Sequence, residues 1–194
     1  MLSVQSPRTT APKEERVIEA ATGVFLRYGH ARTTMRDIAE AAGISRPALY
    51  LIFPRKDDIF AAVIGRLSDD TLREFREALP GLPGLPGLEQ QLHFCCEKWA
   101  MHGYELMQAH PDAKDLFNLA FVPVQEMYAA FEAFLVEILA GPTSASALES
   151  TSEELAHILV FAMRGFRESA RDGTHARRMI ALQVDVIVAA LRAE

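Results

Sequence analysis

The chain has 194 residues and a mass of 21.5 kDa, and 49% of its residues are hydrophobic and 24% charged. These proportions are typical of a soluble globular protein and exclude disorder over most of the length, because there is ample apolar surface to bury. No run of about 18 apolar residues occurs, which argues against a membrane-spanning helix. Because the first residues, Met1 to Arg16, lack the apolar core of a signal peptide, we expect a cytoplasmic protein.

The net charge of −6 is unevenly distributed along the chain. Residues 1–66 contain ten Lys/Arg and seven Asp/Glu, a net of +3, whereas residues 67–194 contain ten basic and nineteen acidic residues, a net of −9. This asymmetry predicts that only the first part of the chain contacts a polyanion.

Apolar residues recur at helical spacing throughout, and alternating β-branched runs are missing, so the sequence predicts an all-α fold. Gly29, Gly43 and Pro54 interrupt the first sixty residues, the Gly/Pro/Leu run at 81–87 reads as a connecting loop, and Gly141 with Pro142 opens a second loop. About nine helices are expected, at 14–28, 34–41, 45–51, 57–79, 88–109, 112–120, 123–140, 152–172 and 175–192.

The segment 34–51 has the signals of two short helices joined by a tight turn. Thr34 and Asp37 have the spacing of a capping box, and Gly43 suits the left-handed backbone that follows a helix. Ser45 is a good N-cap, and Pro47 falls in the first turn of the second helix, where a missing amide costs little. This pattern predicts a helix-turn-helix unit, whose second helix enters the major groove of DNA.

Residues from Arg16 to about Leu67 resemble the DNA-binding domain of the TetR (tetracycline repressor) family. The residues that carry the resemblance are Ala20, Ala21, Phe25, Gly29, Thr33 to Ser45, Leu49, Tyr50, Phe53 and Lys56 to Ile59. The resemblance implies an all-α homodimer with three N-terminal helices for operator DNA, a C-terminal ligand-binding domain and a long linking helix at 57–79. Ile52 departs from the family pattern, which usually has His or Tyr there, so one phosphate contact is in doubt.

The expected organisation is a flexible arm at 1–13, a helix-turn-helix domain at 14–66 and a ligand-binding and dimerisation domain at 67–194. Arg46 is the strongest candidate for base contact, since arginine pairs well with guanine. Tyr50 packing on the long helix, and Arg36 pairing with Asp37 or Glu40, remain alternatives. Arg8 and Lys13 belong to the arm. The predicted DNA-contacting residues are Thr33, Thr34, Arg36, Ser45, Arg46, Pro47, Ala48, Tyr50, Arg55 and Lys56.

The second half is rich in aromatic and methionine side chains, which suit a pocket for an apolar or aromatic small molecule. Ordinary core packing is the competing interpretation for each of them. The predicted ligand-binding residues are Phe94, Trp99, His102, Tyr104, Met107, Phe117, Phe121, Tyr128, Phe131, Phe161 and Phe166.

The last two predicted helices, 152–172 and 175–192, are expected to form the homodimer interface. In the last helix Ile180, Val184, Ile187 and Leu191 form one apolar stripe and Met179, Leu182, Val186 and Ala190 a second, so one can face the core and the other a second copy. The arginines at 164, 167, 171, 177 and 178 are interpreted as surface or interface rim, paired with Glu153, Glu154, Glu168 and Asp172.

The sequence gives weaker support to metal binding, acid–base catalysis and cysteine redox chemistry. His93, Cys95, Cys96 and His102 do not meet a known metal-ligand spacing, so neither a metal nor a cofactor is expected. His102 with Glu105 resembles a base and its orienting group, but a nucleophile is not evident. A redox role for Cys95 or Cys96 would need an exposed thiolate.

The function predicted from these observations is a ligand-responsive DNA-binding transcriptional regulator that is not an enzyme. We expect a repressor, released from a palindromic operator when an apolar or aromatic small molecule binds the body and shifts the fourth helix. The alternatives are an all-α enzyme that uses the C-terminal pocket and a DNA-binding protein that needs no ligand.

Overall fold

The computed structural model describes residues 11–81, 87–146 and 148–192. In these ranges the regular structure is helical, as predicted, and consists of α-helices and two 3-10 segments. The α-helices are α1 (Ala11–Arg32), α2 (Met35–Ala41), α3 (Arg46–Ile52), α4 (Lys56–Ala78), α5 (Leu88–Ala109), α6 (Val122–Ala145), α7 (Ser152–Ser169) and α8 (Gly173–Arg192). The 3-10 segments are Leu79–Gly81 and Pro111–Phe117.

Three predicted boundaries need correction. Helix α1 begins at Ala11, so Lys13 is helical and not part of a flexible arm, whereas Arg8 lies outside the described residues. The helix predicted at 112–120 is the 3-10 segment Pro111–Phe117, followed by a turn. Helix α6 continues through Pro142 to Ala145, at the cost of the one backbone hydrogen bond that proline cannot donate.

The first three helices pack around a small apolar core and form the head of the molecule together with the start of α4. Phe25 of α1, Ile38 of α2, Leu49 of α3 and Phe60 of α4 are all buried. The small side chain of Ala39, also buried, lets α3 cross close to α2. The head therefore holds α3 in a fixed orientation although that helix has only seven residues.

The remaining helices form the body. Helix α5 packs against α8 and α7, and α6 packs against α7 and α4. Phe75 of α4 is buried against the aromatic rings of Phe94, Phe131 and Phe134. Because α4 is unbroken from Lys56 to Ala78, it belongs to the head at one end and to the body at the other, and the predicted domain boundary at residue 66 falls inside it.

The two stripes of α8 face different surroundings. Ile180, Val184, Ile187 and Leu191 are buried in the body core, whereas Leu182 and Val186 are exposed. Ile158 of α7 is exposed as well, and the Gln183 amide joins the two helices by donating to the Ile158 carbonyl at 2.9 Å. Helices α7 and α8 therefore carry apolar surface that their own chain leaves uncovered.

Within the described ranges, no single helix has both the length and the apolar character needed to cross a bilayer. The bent pair Pro111–Phe117 and Val122–Ser144, at 67° to each other, meets that test when taken together, on length and composition alone.

Candidate functional site

The helix-turn-helix is held by local caps at the residues that the sequence predicts. The Thr34 hydroxyl accepts from the Asp37 amide at 3.3 Å, and the Asp37 carboxylate accepts from the Thr34 amide at 2.9 Å. The Thr34 hydroxyl also donates to the Asp37 carboxylate at 2.7 Å. The two bonds that this carboxylate accepts from Thr34, from the side chain first and from the backbone second, lower the pKa of Asp37, with a smaller contribution from the nearby Arg36 cation. Ser45 caps α3 by accepting from the Ala48 amide at 3.3 Å, and Gly43 has a φ of +65° in the turn between the helices.

One face of α3 points away from the head core. Arg46, Pro47 and Tyr50 are exposed and Ala48 is half-buried, while Leu49 faces inward. The Arg46 guanidinium has no hydrogen-bond or ion-pair partner in the part of the chain that the structure describes. Leu51 is 89% exposed on the same short helix. Leu51 is not among the predicted contacts, although its spacing of two residues from the buried Leu49 places it on the other side of the helix.

Two of the side chains predicted to contact DNA make hydrogen bonds within the head. Thr33 is only 2% exposed, and its hydroxyl donates to the Gly29 carbonyl at 2.7 Å, so it cannot reach a nucleic acid. The Lys56 ammonium donates to the carbonyls of His30 at 2.6 Å and Thr33 at 3.0 Å. Lys56 thus ties the start of α4 to the end of α1.

Arg55 is exposed but already engaged. Its Nη2 and Nε atoms lie 2.8 and 3.3 Å from the Asp58 carboxylate, an arrangement that raises the pKa of Arg55 and lowers that of Asp58 through the shared hydrogen bonds and charges. Thr34, Arg36 and Ser45 are exposed beside the two short helices. Apart from Arg55, the exposed residues among those predicted to contact DNA therefore lie on α3, at its N-cap or at the start of α2.

A cavity lies in the body, between α4, α5, α6, α7 and the 3-10 segment Pro111–Phe117. Its volume is about 50 Å³, room for a few non-hydrogen atoms, whereas pockets that bury a drug-sized molecule span about 300–1,000 Å³. Its lining residues are Leu67, Ser68, Thr71, Leu72, Trp99, His102, Gly103, Leu106, Leu116, Phe117, Met127, Phe131 and Arg167.

Aromatic stacking fixes one side of this cavity. The Trp99 ring lies on that of Phe131, with centroids 4.5 Å apart and planes 12° from parallel, and meets Tyr128 edge-on at 5.0 Å. On the other side the Arg167 guanidinium carbon is 4.7 Å from the centre of the Phe117 ring. Gly103 leaves room for both groups, because a Cβ there would lie 3.2 Å from Arg167 Nη1 and 3.3 Å from Phe117.

The sequence predicts Arg167 at the surface or the interface rim, and that prediction is wrong. The residue is 8% exposed, and its Nη2 donates to the Tyr128 hydroxyl at 2.7 Å. The signal that identifies it is spacing: Arg167 continues, at four-residue intervals, the row of Leu155, Leu159 and Met163, all of them buried. Of the other arginines in that prediction, Arg164 lies 3.4 Å from Glu168, as expected.

The cavity is connected to the head through the 3-10 segment. Leu116 and Phe117 line the cavity, and the same segment packs on the end of α1. There Arg32 pairs with Asp112 at 2.5 Å, and the Ala31 amide donates to Asp115 at 3.2 Å. Gly29 allows this approach with a φ of +72° and a ψ of +165°.

Comparison with known proteins agrees with the geometry of the head. Residues 17–63 match the model of the bacterial regulatory proteins, tetR family. The head is therefore similar in sequence to the N-terminal domain of TetR-family regulators. YfiR, an HTH-type transcriptional regulator of Bacillus subtilis, is 36% identical over 73 residues, or 36% of each chain. The HTH-type transcriptional regulator TtgR of Pseudomonas putida is 43% identical over 53 residues, 27% of this chain and 25% of TtgR.

These sequence matches span between a quarter and about a third of the length of the relatives. The likeness in fold extends further. A tetR-family transcriptional regulator from Streptomyces coelicolor superposes with a TM-score of 0.68 at 19% identity, covering 94% of this chain and 81% of that one. The body thus has the fold seen in TetR-family structures.

In the body, four of the predicted ligand-binding residues line the cavity, namely Trp99, His102, Phe117 and Phe131. The others do not. Tyr128 and Phe161 pack behind it, Phe94 lines an outer groove between α4 and α5, and Phe121 packs on His30 and Phe60 at the head. Tyr104 lies near Gly173 of α8, and Met107 and Phe166 are half-buried outside the lining.

The residues considered for other chemistry do not form one site. The Glu105 carboxylate accepts from Arg177 at 2.9 Å, so it is not committed to orienting His102. His93 bonds to Asp185 at 2.8 Å. Cys95 and Cys96 are both buried, and burial raises the pKa of the Cys95 thiol to about 12 and that of Cys96 further.

Proposed function

We propose that the protein is a ligand-responsive, DNA-binding transcriptional regulator that acts as a repressor. The observation that carries the proposal is the outward face of α3, where Arg46 is exposed and has no partner among the described residues. An arginine at the start of a recognition helix can bind guanine O6 and N7 together. On the same helix, the exposed Leu51 suits apolar contact with a thymine methyl group.

A single head offers a small contact area, so the proposal includes a homodimer. The uncovered apolar residues of α7 and α8, Ile158, Leu182 and Val186, are the surface on which a second copy would pack. A twofold pair that binds successive major grooves needs its recognition helices about 34–36 Å apart. The operator is then a near-palindrome, and affinity falls steeply with added salt because phosphate contacts release counterions.

Two routes support communication between the body cavity and the heads. Helix α4 lines the cavity with Leu67 and Leu72 and begins in the head. The 3-10 segment lines it with Leu116 and Phe117 and bonds to α1 through Asp112. An effector that favours a spacing of the heads unsuited to DNA would lower operator affinity, and a coupling of about 1–3 kcal/mol gives a roughly 5- to 150-fold effect.

The DNA-binding part is tested by fluorescence anisotropy on an operator selected from random duplexes. We expect Arg46→Ala to weaken specific binding by about 1–3 kcal/mol while non-specific binding changes little, because the lost contact is to a base. Arg73→Ala is the matched control, since Arg73 is an exposed arginine in the body part of α4 that pairs with Asp70. Equal losses on both DNAs would mean that Arg46 touches only phosphate. A wild-type protein without any sequence preference would refute the proposal.

The size of the cavity favours a second candidate, a DNA-binding regulator without an effector. At about 50 Å³ the cavity holds a drug-sized molecule only if side chains such as Met127 move. The two candidates differ in one measurement, the operator affinity in the presence of a compound shown to bind the body. Release from DNA supports the effector, and unchanged affinity supports the ligand-independent protein.

A further inference from the structure

We propose that the body cavity binds a carboxylate, held by Arg167, with the apolar or aromatic part of the same molecule against Trp99 and Phe117. This inference rests on the proposed effector site and names its chemical class. It starts from Arg167, a basic side chain that lines the cavity and is more than nine-tenths buried.

The guanidinium of Arg167 is under-satisfied. It has five N–H donors, but its one hydrogen bond in the described structure is that from Nη2 to the Tyr128 hydroxyl at 2.7 Å. Its Nε atom is buried without any partner, and none of the lining residues is acidic. The contact with the Phe117 ring, at 4.7 Å, offers attraction to the cation but accepts no hydrogen bond at those donors.

A buried arginine of this kind is costly unless something neutralises it, because buried charges in proteins are paired or hydrogen-bonded. The neighbouring Arg164 differs in charge pairing, since its side chain is less buried and its Nε atom, although it too makes no hydrogen bond, lies 3.4 Å from the Glu168 carboxylate. An anionic ligand would supply to Arg167 what the protein does not. The arrangement indicates a site prepared for a negative charge.

The choice of a carboxylate follows from geometry, charge and space. Guanidinium and carboxylate are planar and can form two parallel hydrogen bonds, and one carboxylate neutralises one arginine. A phosphate monoester is larger and more highly charged, so it would leave negative charge unneutralised in a cavity of about 50 Å³. The apolar walls of Leu72, Leu116 and Met127 select an aromatic or aliphatic body for the rest of the molecule, and the flexible Met127 side chain has to move to make room for a ring.

Trp99 makes the test direct, because it is the only tryptophan in the sequence and lines the cavity. We would titrate the full chain, without DNA, with benzoate and phenylacetate and follow tryptophan emission. Benzamide and phenylacetamide serve as neutral isosteres, and phenyl phosphate as the competing anion. We expect saturable changes with the acids and an affinity for the amides that is about tenfold or more weaker, as for loss of a charge-assisted hydrogen bond.

Variants assign the effect to the guanidinium. Arg167→Met should remove the preference for acid over amide, whereas Arg164→Met, the same change on the same helix, should keep it. Arg167→Lys retains a charge but not the bidentate geometry, and is expected to bind the acids weakly; it also serves if Arg167→Met does not fold. The inference is overturned if acids and amides bind alike, if none of the acids binds, if phenyl phosphate binds best, or if Arg167→Met keeps the preference. Operator binding by the wild-type protein in the anisotropy assay would stand in each of these cases, so the two proposals fail separately.

Discussion

Gly29 is the residue on which the contact between head and body depends, and replacing it by alanine is a quantitative test of that contact. Its φ of +72° and ψ of +165° fall in a region that is essentially restricted to glycine, and a side chain held there costs about 1–3 kcal/mol. A Cβ would also lie within 3.0 Å of the Asp112 carbonyl oxygen, which is backbone and cannot swing aside. The 3-10 segment must therefore move, and we expect a total loss of about 2–4 kcal/mol.

The assay is thermal unfolding of the full chain, where a loss of that size lowers Tm by about 5–15 °C for a domain of this length. Gly43→Ala is the first control: φ is +65°, but the nearest atom is Arg16 Nη2 at 3.9 Å, so only the left-handed backbone costs energy, about 1–2 kcal/mol. Gly23→Ala is the second, since nothing lies within 4 Å and alanine favours a helix by about 0.5–1 kcal/mol. A Tm for Gly29→Ala at or above that of Gly43→Ala would show that the segment does not press on α1.

Three further predictions concern the surface and the thiols. Val186→Glu should halve the mass measured by light scattering, because it places a charge in the proposed dimer face, whereas Val122→Glu, at the same 60% exposure on α6, should not. The buried thiols of Cys95 and Cys96 should react with Ellman's reagent only after denaturation, and rapid labelling of the native protein would contradict the raised pKa of both. Asp37→Asn should lower the urea midpoint of unfolding at neutral pH. Because the folded-state pKa of Asp37 lies below 3.8, the difference in urea midpoint between variant and wild type should shrink as the pH falls through that pKa. A difference that does not depend on pH would refute the role of the charge.

The sequence predicted best where structure is set by nearby residues. The caps of α2 and α3 depend on Thr34, Asp37 and Ser45, which act within three residues, and the glycine turn needs only a local φ. The bounds of α5 matched the prediction for the same reason, since a glycine precedes it and His110 with Pro111 ends it. Such signals are independent of the rest of the fold.

Features that depend on distant contacts were predicted less well. Lys56 resembled a free cation, because nothing near it in sequence shows that the carbonyls of His30 and Thr33 lie within reach. Arg167 resembled a surface arginine, because its burial is decided by α4, α5 and α6. Phe121 is an aromatic residue of the kind expected in the pocket, but it packs against His30 at the head. The turn that follows the 3-10 segment places it there. Which residues line the cavity is decided by how the helices pack together.

The bonds from the Lys56 ammonium to the carbonyls of His30 and Thr33 have a mechanical consequence. They connect the first turn of α4 to the junction between α1 and α2. Arg16 of α1 stabilises the other end of α2 by donating to the Ala42 carbonyl at 3.2 Å. A tilt of α4 would therefore swing the first three helices as one rigid piece. In the proposed homodimer, the distance between the two α3 helices would then change, while the structure of each head would stay the same.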